Sequence, residues 1–177
     1  MLKSNLAAFL ILFSNFFVIQ LLAQINSTLG KYGVFLFVPG LFFFSVSMHL
    51  RGARAMLVLF STGFLLDFQF HTYFGFHPFL LVVFHLIGTM FVQMGKQGER
   101  IRPLLFQLIA QILISSLWYF PLSMKFDDAT NYLKLRFLTD QIISMLVLVP
   151  LCLWFHNFVQ IILQKATVID DGKERIA

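Results

Sequence analysis

The sequence predicts an all-α integral membrane protein, a single domain of about six transmembrane helices, and three observations carry that reading. The chain is 59% hydrophobic and 12% charged, with a mean hydropathy of +0.83, whereas a soluble domain is about 45–50% apolar and about 25% charged. Its apolar residues fall in runs near the ~20 residues that cross a ~30 Å hydrocarbon core. Its charges are gathered in the short segments between those runs. A water-soluble surface cannot be built from this material. Six crossings would use roughly two thirds of the chain and leave little for a soluble module.

The first span reads 6–25 and is closed by the polar stretch Asn26-Ser27-Thr28-Leu29-Gly30-Lys31; no small-x-small cleavage site precedes Gln24, so it reads as a retained helix. The second, 33–48, is short and broken by Pro39-Gly40. It is expected to be kinked, tilted or partly re-entrant, because backbone freed from a helix at membrane depth needs protein neighbours. Arg51-Gly52-Ala53-Arg54 separates it from the third span, 55–70, which carries Asp67. A tight turn, His71 to Phe76, leads to the fourth span, 77–94; Gly75 and Pro78 argue for two helices here rather than one. A charged loop from Gly95 to Arg102 comes next. Pro103, tolerated in a helix's first turn, opens the fifth span, 103–122. The longest hydrophilic loop, Ser123 to Phe137, precedes the sixth span, 138–163, which Pro150 is expected to interrupt. A polar tail follows Lys165.

Orientation follows from the excess of Lys and Arg in cytoplasmic loops. Lys3, Arg51, Arg54, Lys96, Arg100, Arg102, Lys165, Lys173 and Arg175 fall on one side. The other side has Lys31, Lys125, Lys134 and Arg136, which completes the 13 basic residues. Both termini are therefore expected in the cytoplasm. The net charge of +5 is topology signal, since no basic cluster is interleaved with aromatic residues as nucleic-acid binding would require. The 24 Phe are spread through every run and read as lipid-facing and packing bulk, and Cys152 reads as a small packing residue.

Polar residues inside the spans are the informative ones. An ionised Asp at mid-membrane costs about 2.5–3.5 kcal/mol on insertion scales, so Asp67 requires a partner or hydration. Gly63 and His71 lie four residues to either side of it, which on a continuous helix makes one stripe. Two arrangements meet the requirement: a seam where Gly63 admits a neighbouring helix and Asp67 accepts its hydrogen bonds, or a hydrated Asp67 at the outer interface. Further polar stripes occur at His77, His85, Thr89 and Gln93, at Gln107, Gln111 and Ser115, and at Cys152, His156, Gln160 and Gln164. They predict a bundle with a hydrogen-bonded interior and a Phe/Leu-rich exterior. Interhelical packing or a transport pathway would both look like this.

No chemistry is nominated. The five His never fall at i, i+4, as a helical zinc pair would require. The Gly-x-Gly-Asp setting of intramembrane aspartyl proteases, Gly-x-Ser-x-Gly and phosphate-binding Gly-rich loops are missing. No enzyme activity, metal or cofactor is expected.

Residues 63–81 carry a resemblance. Gly63, Asp67, Gly75 and His77, set in a Leu-rich helix, a short turn and the start of the next span, resemble the bacterial rod shape-determining protein MreD family. Phe68, Phe70, Tyr73 and Phe74 stand where that family tends to have small or flexible residues. The number of spans and the cytoplasmic ends are also similar. The resemblance implies a non-enzymatic scaffold in the cytoplasmic (inner) membrane. It would contact an MreC-like bitopic protein and, indirectly, an MreB-like filament and the peptidoglycan synthases, with Gly63, Asp67, His71, Gly75 and His77 shaping the docking surface. A second resemblance, to the substrate-binding S-components of vitamin transporters, implies a similar bundle in which Asp67, His71 and His85 would line a ligand cavity. Those proteins' Ala-x-x-x-Ala signature does not appear in the first helix.

Overall fold

The computed structural model describes the backbone of residues 2–94, 101–125 and 130–166, and it is all helical among them. Six α-helices are present: α1 (Leu2–Leu29), α2 (Phe42–His49), α3 (Ala53–Phe70), α4 (Phe76–Met94), α5 (Ile101–Lys125) and α6 (Thr130–Lys165). Three segments, Asn5–Tyr32, Ala53–Phe70 and Lys134–Lys165, are long and apolar enough to cross a membrane, and Phe76–Met90 and Leu104–Phe120 are shorter apolar helices. The chain is thus built as a membrane-embedded protein.

α1 runs without a helix breaker until Gly30, where the chain tightens into a 3-10 turn, Gly30–Tyr32, and stops at Gly33 in the left-handed region (φ 73°). Residues 34–38 then form no regular secondary structure, and a second 3-10 turn, Pro39–Leu41, leads into α2. The second apolar run is therefore α-helical only over its last eight residues, because the Pro39 ring occupies the space a preceding helical turn would need. This broken segment is the centre of the molecule. Phe42, Phe43, Phe44, Ser45, Val46 and Ser47 are all buried, so α2 is covered on every side over its first six residues, as an all-round apolar helix must be.

α3 packs on α4 and on α1, α2 lies against α4 and α3, and α5 and α6 close the other side. Phe43 meets Phe84 and Phe106 at ring centroid distances of 6.0 and 5.6 Å, while Phe42 meets Phe155 at 6.3 Å. The outward residues are equally apolar: Phe9, Phe13, Leu57, Phe68, Leu105, Ile109 and Leu146 are all exposed. An oily surface around an oily core is stable in hydrocarbon and not in water. The Phe residues serve both as core and as outer surface.

Three expectations are corrected. Pro150 does not interrupt the last helix, which continues through it; Pro150 sits on the exposed face, where one missing backbone bond is tolerated within a long helix. The hydrophilic loop expected over 123–137 is helical at both ends, since α5 runs to Lys125 and α6 starts at Thr130. There Asp140 and Arg136, one turn apart, lie on the helix with Nε to Oδ2 at 3.8 Å. The stripe Gly63, Asp67, His71 is not continuous: α3 ends at Phe70, and His71 turns into the left-handed region at φ 50°. The charged loop before Arg102, up to residue 100, and the tail beyond residue 166 lie outside the described residues.

Candidate functional site

The corner between α3 and α4 gathers most of the residues singled out in the sequence. Gly63 is where the two helices meet. A Cβ placed on it would lie 2.3 Å from Pro78 N and 2.5 Å from Pro78 Cα, so only glycine permits this approach of α4's first turn. One turn later Asp67 is 4% exposed and directs its carboxylate across the corner.

The first turn of a helix has backbone N–H groups without intrahelical partners. Here each is accounted for. The Gly75 N–H donates to Asp67 Oδ2 at 2.7 Å and the His77 N–H to Oδ1 at 3.0 Å. The Phe76 N–H donates to the Tyr73 carbonyl at 3.0 Å, and Pro78 has no N–H to satisfy. Asp67 thus caps α4 from the preceding helix. Its two carboxyl oxygens lie against the positive end of α4's dipole. Thr72 Oγ1 donates to Oδ1 at 2.8 Å, and His77 Nδ1 lies 2.7 Å from the same oxygen. Gly75 adopts φ 91°, and the His71 N–H closes the end of α3 on the Asp67 carbonyl.

Gly63, Asp67, Gly75 and His77 therefore converge. The helix that Gly63 admits and Asp67 bonds is α4. His71 separates from the group: its side chain is exposed, and only its backbone serves the corner. Thr72 and Pro78 were not singled out in the sequence. Thr72, a hydroxyl in the turn after a membrane Asp, is the signal that could have placed a donor there.

The interior polar residues have a second task. Buried backbone outside α-helices must find partners within the protein, and residues 35–40 find theirs on three helices. Phe35 N–H donates to Asp140 Oδ1 (2.9 Å), Leu36 N–H to Asn26 Oδ1 (2.8 Å), Phe37 N–H to Ser144 Oγ (3.0 Å) and Gly40 N–H to Gln111 Oε1 (3.0 Å). Asn26 Nδ2 returns a bond to the Leu36 carbonyl at 2.8 Å, and Gln111 Nε2 donates to the Phe37 carbonyl. Two carboxamides thus each hold one N–H and one carbonyl of this segment. Gln107, Gln111 and Ser115 are buried, so the fifth-span stripe does face inward. Asn26, which closed a span in the sequence, and Asp140 and Ser144 of α6 gave no such signal.

His85 is buried and lies 2.7 Å from Ser47 Oγ through Nδ1, tying α4 to α2. A surface groove of about 480 Å³, lined by Phe64, Asp67, Phe68, His71, Thr72 and Phe74, holds Asp67 and His71 without His85.

Around this corner the fold defines an all-helical protein with apolar helices of membrane-crossing length. Comparison of the chain with protein-family models, with curated proteins and with solved structures finds no match in any of the three.

Proposed function

We propose that the protein is a non-enzymatic scaffold of the bacterial cell-shape and elongation machinery. On this reading it lies in the cytoplasmic membrane with both termini inside. It binds an MreC-like bitopic protein and, through it, serves an MreB-like filament and the peptidoglycan synthases. The observation that carries the reading is the convergence of Gly63, Asp67, Gly75 and His77, the residues behind the resemblance, into one hydrogen-bonded corner. That corner fixes an outward surface on which Phe68, Tyr73 and Phe74 are 81%, 62% and 88% exposed. Rigid aromatic side chains held by a preorganised turn suit a protein partner, because little conformational freedom is lost when they are covered.

The six-crossing count is supported by the shape of the broken segment. Sixteen residues of α-helix would reach only about 24 Å. Residues 34–49, non-helical and then helical, could reach at most about 34 Å if the non-helical stretch were fully drawn out, against a ~30 Å core. On this reading the non-helical stretch makes a short run long enough to cross, with Arg51 on the side of Lys3.

The test is co-purification of the full chain with its bitopic partner from membranes, together with cell shape. Asp67→Ala is expected to lose both. Phe74→Ala, which leaves the corner's hydrogen bonds intact, is expected to weaken co-purification while the protein remains folded. Full partner recovery and normal cell shape for Asp67→Ala would overturn the reading.

A further inference from the structure

The outer face of α1 carries a feature that the shape-machinery reading does not use. Phe9, Phe13, Phe16, Gln20 and Gln24 follow one another at steps of three and four and are all exposed, so they form a single outward stripe. Gln20 is the anomaly in it. One end of α1 is marked by the hydrogen bond from Arg54 Nε to Asn5 Oδ1 at 2.9 Å, and the other by Lys31. Gln20 lies two residues, about 3 Å, from the point midway between them. Its carboxamide is at the depth where hydrocarbon is driest, it faces outward, and it finds no partner among the described residues. A primary amide has two donors and an acceptor to satisfy, and lipid tails offer none.

Beside the stripe runs an apolar groove of about 420 Å³ between α1 and α3, with Leu12, Ser61 and Leu65 between the rims made by Phe9, Phe13, Phe16 and Phe64. The groove follows the Phe9–Phe16 part of the stripe, whose aromatic side chains form its rim.

We propose that this face is a transmembrane interface between two copies of the chain, paired in parallel about a two-fold axis normal to the membrane. The occupant is inferred from the chemistry of the amide. Two copies inserted in the same sense place Gln20 opposite Gln20 at equal depth. A carboxamide, being donor and acceptor at once, satisfies its own image. The same register sets the aromatic row of each copy against that of the other, with Phe13 opposite Phe13. Other helices would need a polar group at this depth, and a second copy has one by construction. The proposal rests on the membrane reading alone and stands or falls independently of the shape-machinery assignment.

The experiment uses the full chain with Cys152 replaced by Ala, reconstituted in phosphatidylethanolamine/phosphatidylglycerol vesicles. Phe13→Cys, with Gln20 intact, is expected to form disulfide-linked dimers under mild oxidation, whereas Leu105→Cys, on the exposed face of α5, is expected not to. Dimer fraction is then read by single-molecule photobleaching as the protein is diluted in lipid. Gln20→Leu is more compatible with lipid than the wild type and so folds as a monomer. It is expected to raise the dissociation constant about tenfold, the scale of one interhelical polar contact in a bilayer, and Gln20→Asn is expected to recover part of the loss. Equal cross-linking at positions 13 and 105, or an unchanged dissociation constant for Gln20→Leu, overturns the proposal. A chain that is monomeric in vesicles yet cross-links through position 13 to a different protein in cells overturns it as well.

Discussion

Asp67 and His77 are joined twice: one carboxylate oxygen lies 3.0 Å from the His77 backbone nitrogen and 2.7 Å from its ring Nδ1. One bond caps a helix and the other fixes a side chain, so the same oxygen sets both the direction of α4 and the rotamer of its second residue. Removal of the carboxylate strands the Gly75 and His77 N–H groups in a buried place, at about 1–3 kcal/mol each. Asp67→Ala is therefore expected to destabilise the protein by about 3–5 kcal/mol, and Asp67→Asn, which keeps one acceptor, by roughly half of that. Reversible unfolding in mixed micelles measures the difference. Hydrogen exchange should show faster exchange at residues 75 and 77 in both variants.

Gly63 is expected to tolerate no side chain. Gly63→Ala drives a Cβ into the Pro78 backbone, which cannot rotate away, and helix separation here should cost about 1–3 kcal/mol or more. Gly30→Ala is the control, because nothing lies within 4 Å of the added atom. Its effect on the same unfolding curve is expected to stay within about 0.5 kcal/mol.

The clamp on residues 35–40 makes a graded prediction. Asn26→Ala and Gln111→Leu each orphan one buried N–H and one buried carbonyl of this segment, while Ser144→Ala orphans a single N–H. The first two variants are expected to lose about 2–5 kcal/mol and the third about 1–3 kcal/mol. The order of unfolding midpoints checks it. A Ser144→Ala loss equal to that of Asn26→Ala would contradict the bond-by-bond account.

His71 is expected to behave as a backbone position. Its φ of 50° is strained for a residue with a Cβ, so His71→Gly should leave stability unchanged or raise it by up to about 1 kcal/mol. His71→Val, branched at Cβ, should lower it by a similar amount or more. The same micellar unfolding assay measures both, with His77→Val as a variant that damages the buried ring's contacts as well.

How far the site could be read in advance depended on the distance over which its parts interact. Gly63 and Asp67 stand one helical turn apart, and the Gly75-Phe76-His77-Pro78 turn follows within a few residues, so local spacing was enough to suggest a seam. His71 was misplaced because a helical stripe assumes that the helix continues, and the chain turns left-handed at that residue. The clamp was illegible. Leu36 meets Asn26 across 10 residues, but Phe35 meets Asp140 across 105 and Phe37 meets Ser144 across 107, and no periodicity in one segment reports the vacant valences of another.

What the sequence by itself determined is the solvent and the material: apolar runs of membrane-crossing length, a Pro-Gly break in the second, and polar side chains spaced one turn apart along the others. These follow from local chemistry, because hydropathy is additive along a chain and helical periodicity needs only neighbours. Only the tertiary structure decided that residues 34–38 would leave the helix, that α2 would be the core, and which amides would hold the freed backbone. In a medium without water each freed N–H must be matched by a group from elsewhere in the chain. That pairing is a property of the assembled bundle and belongs to no single segment.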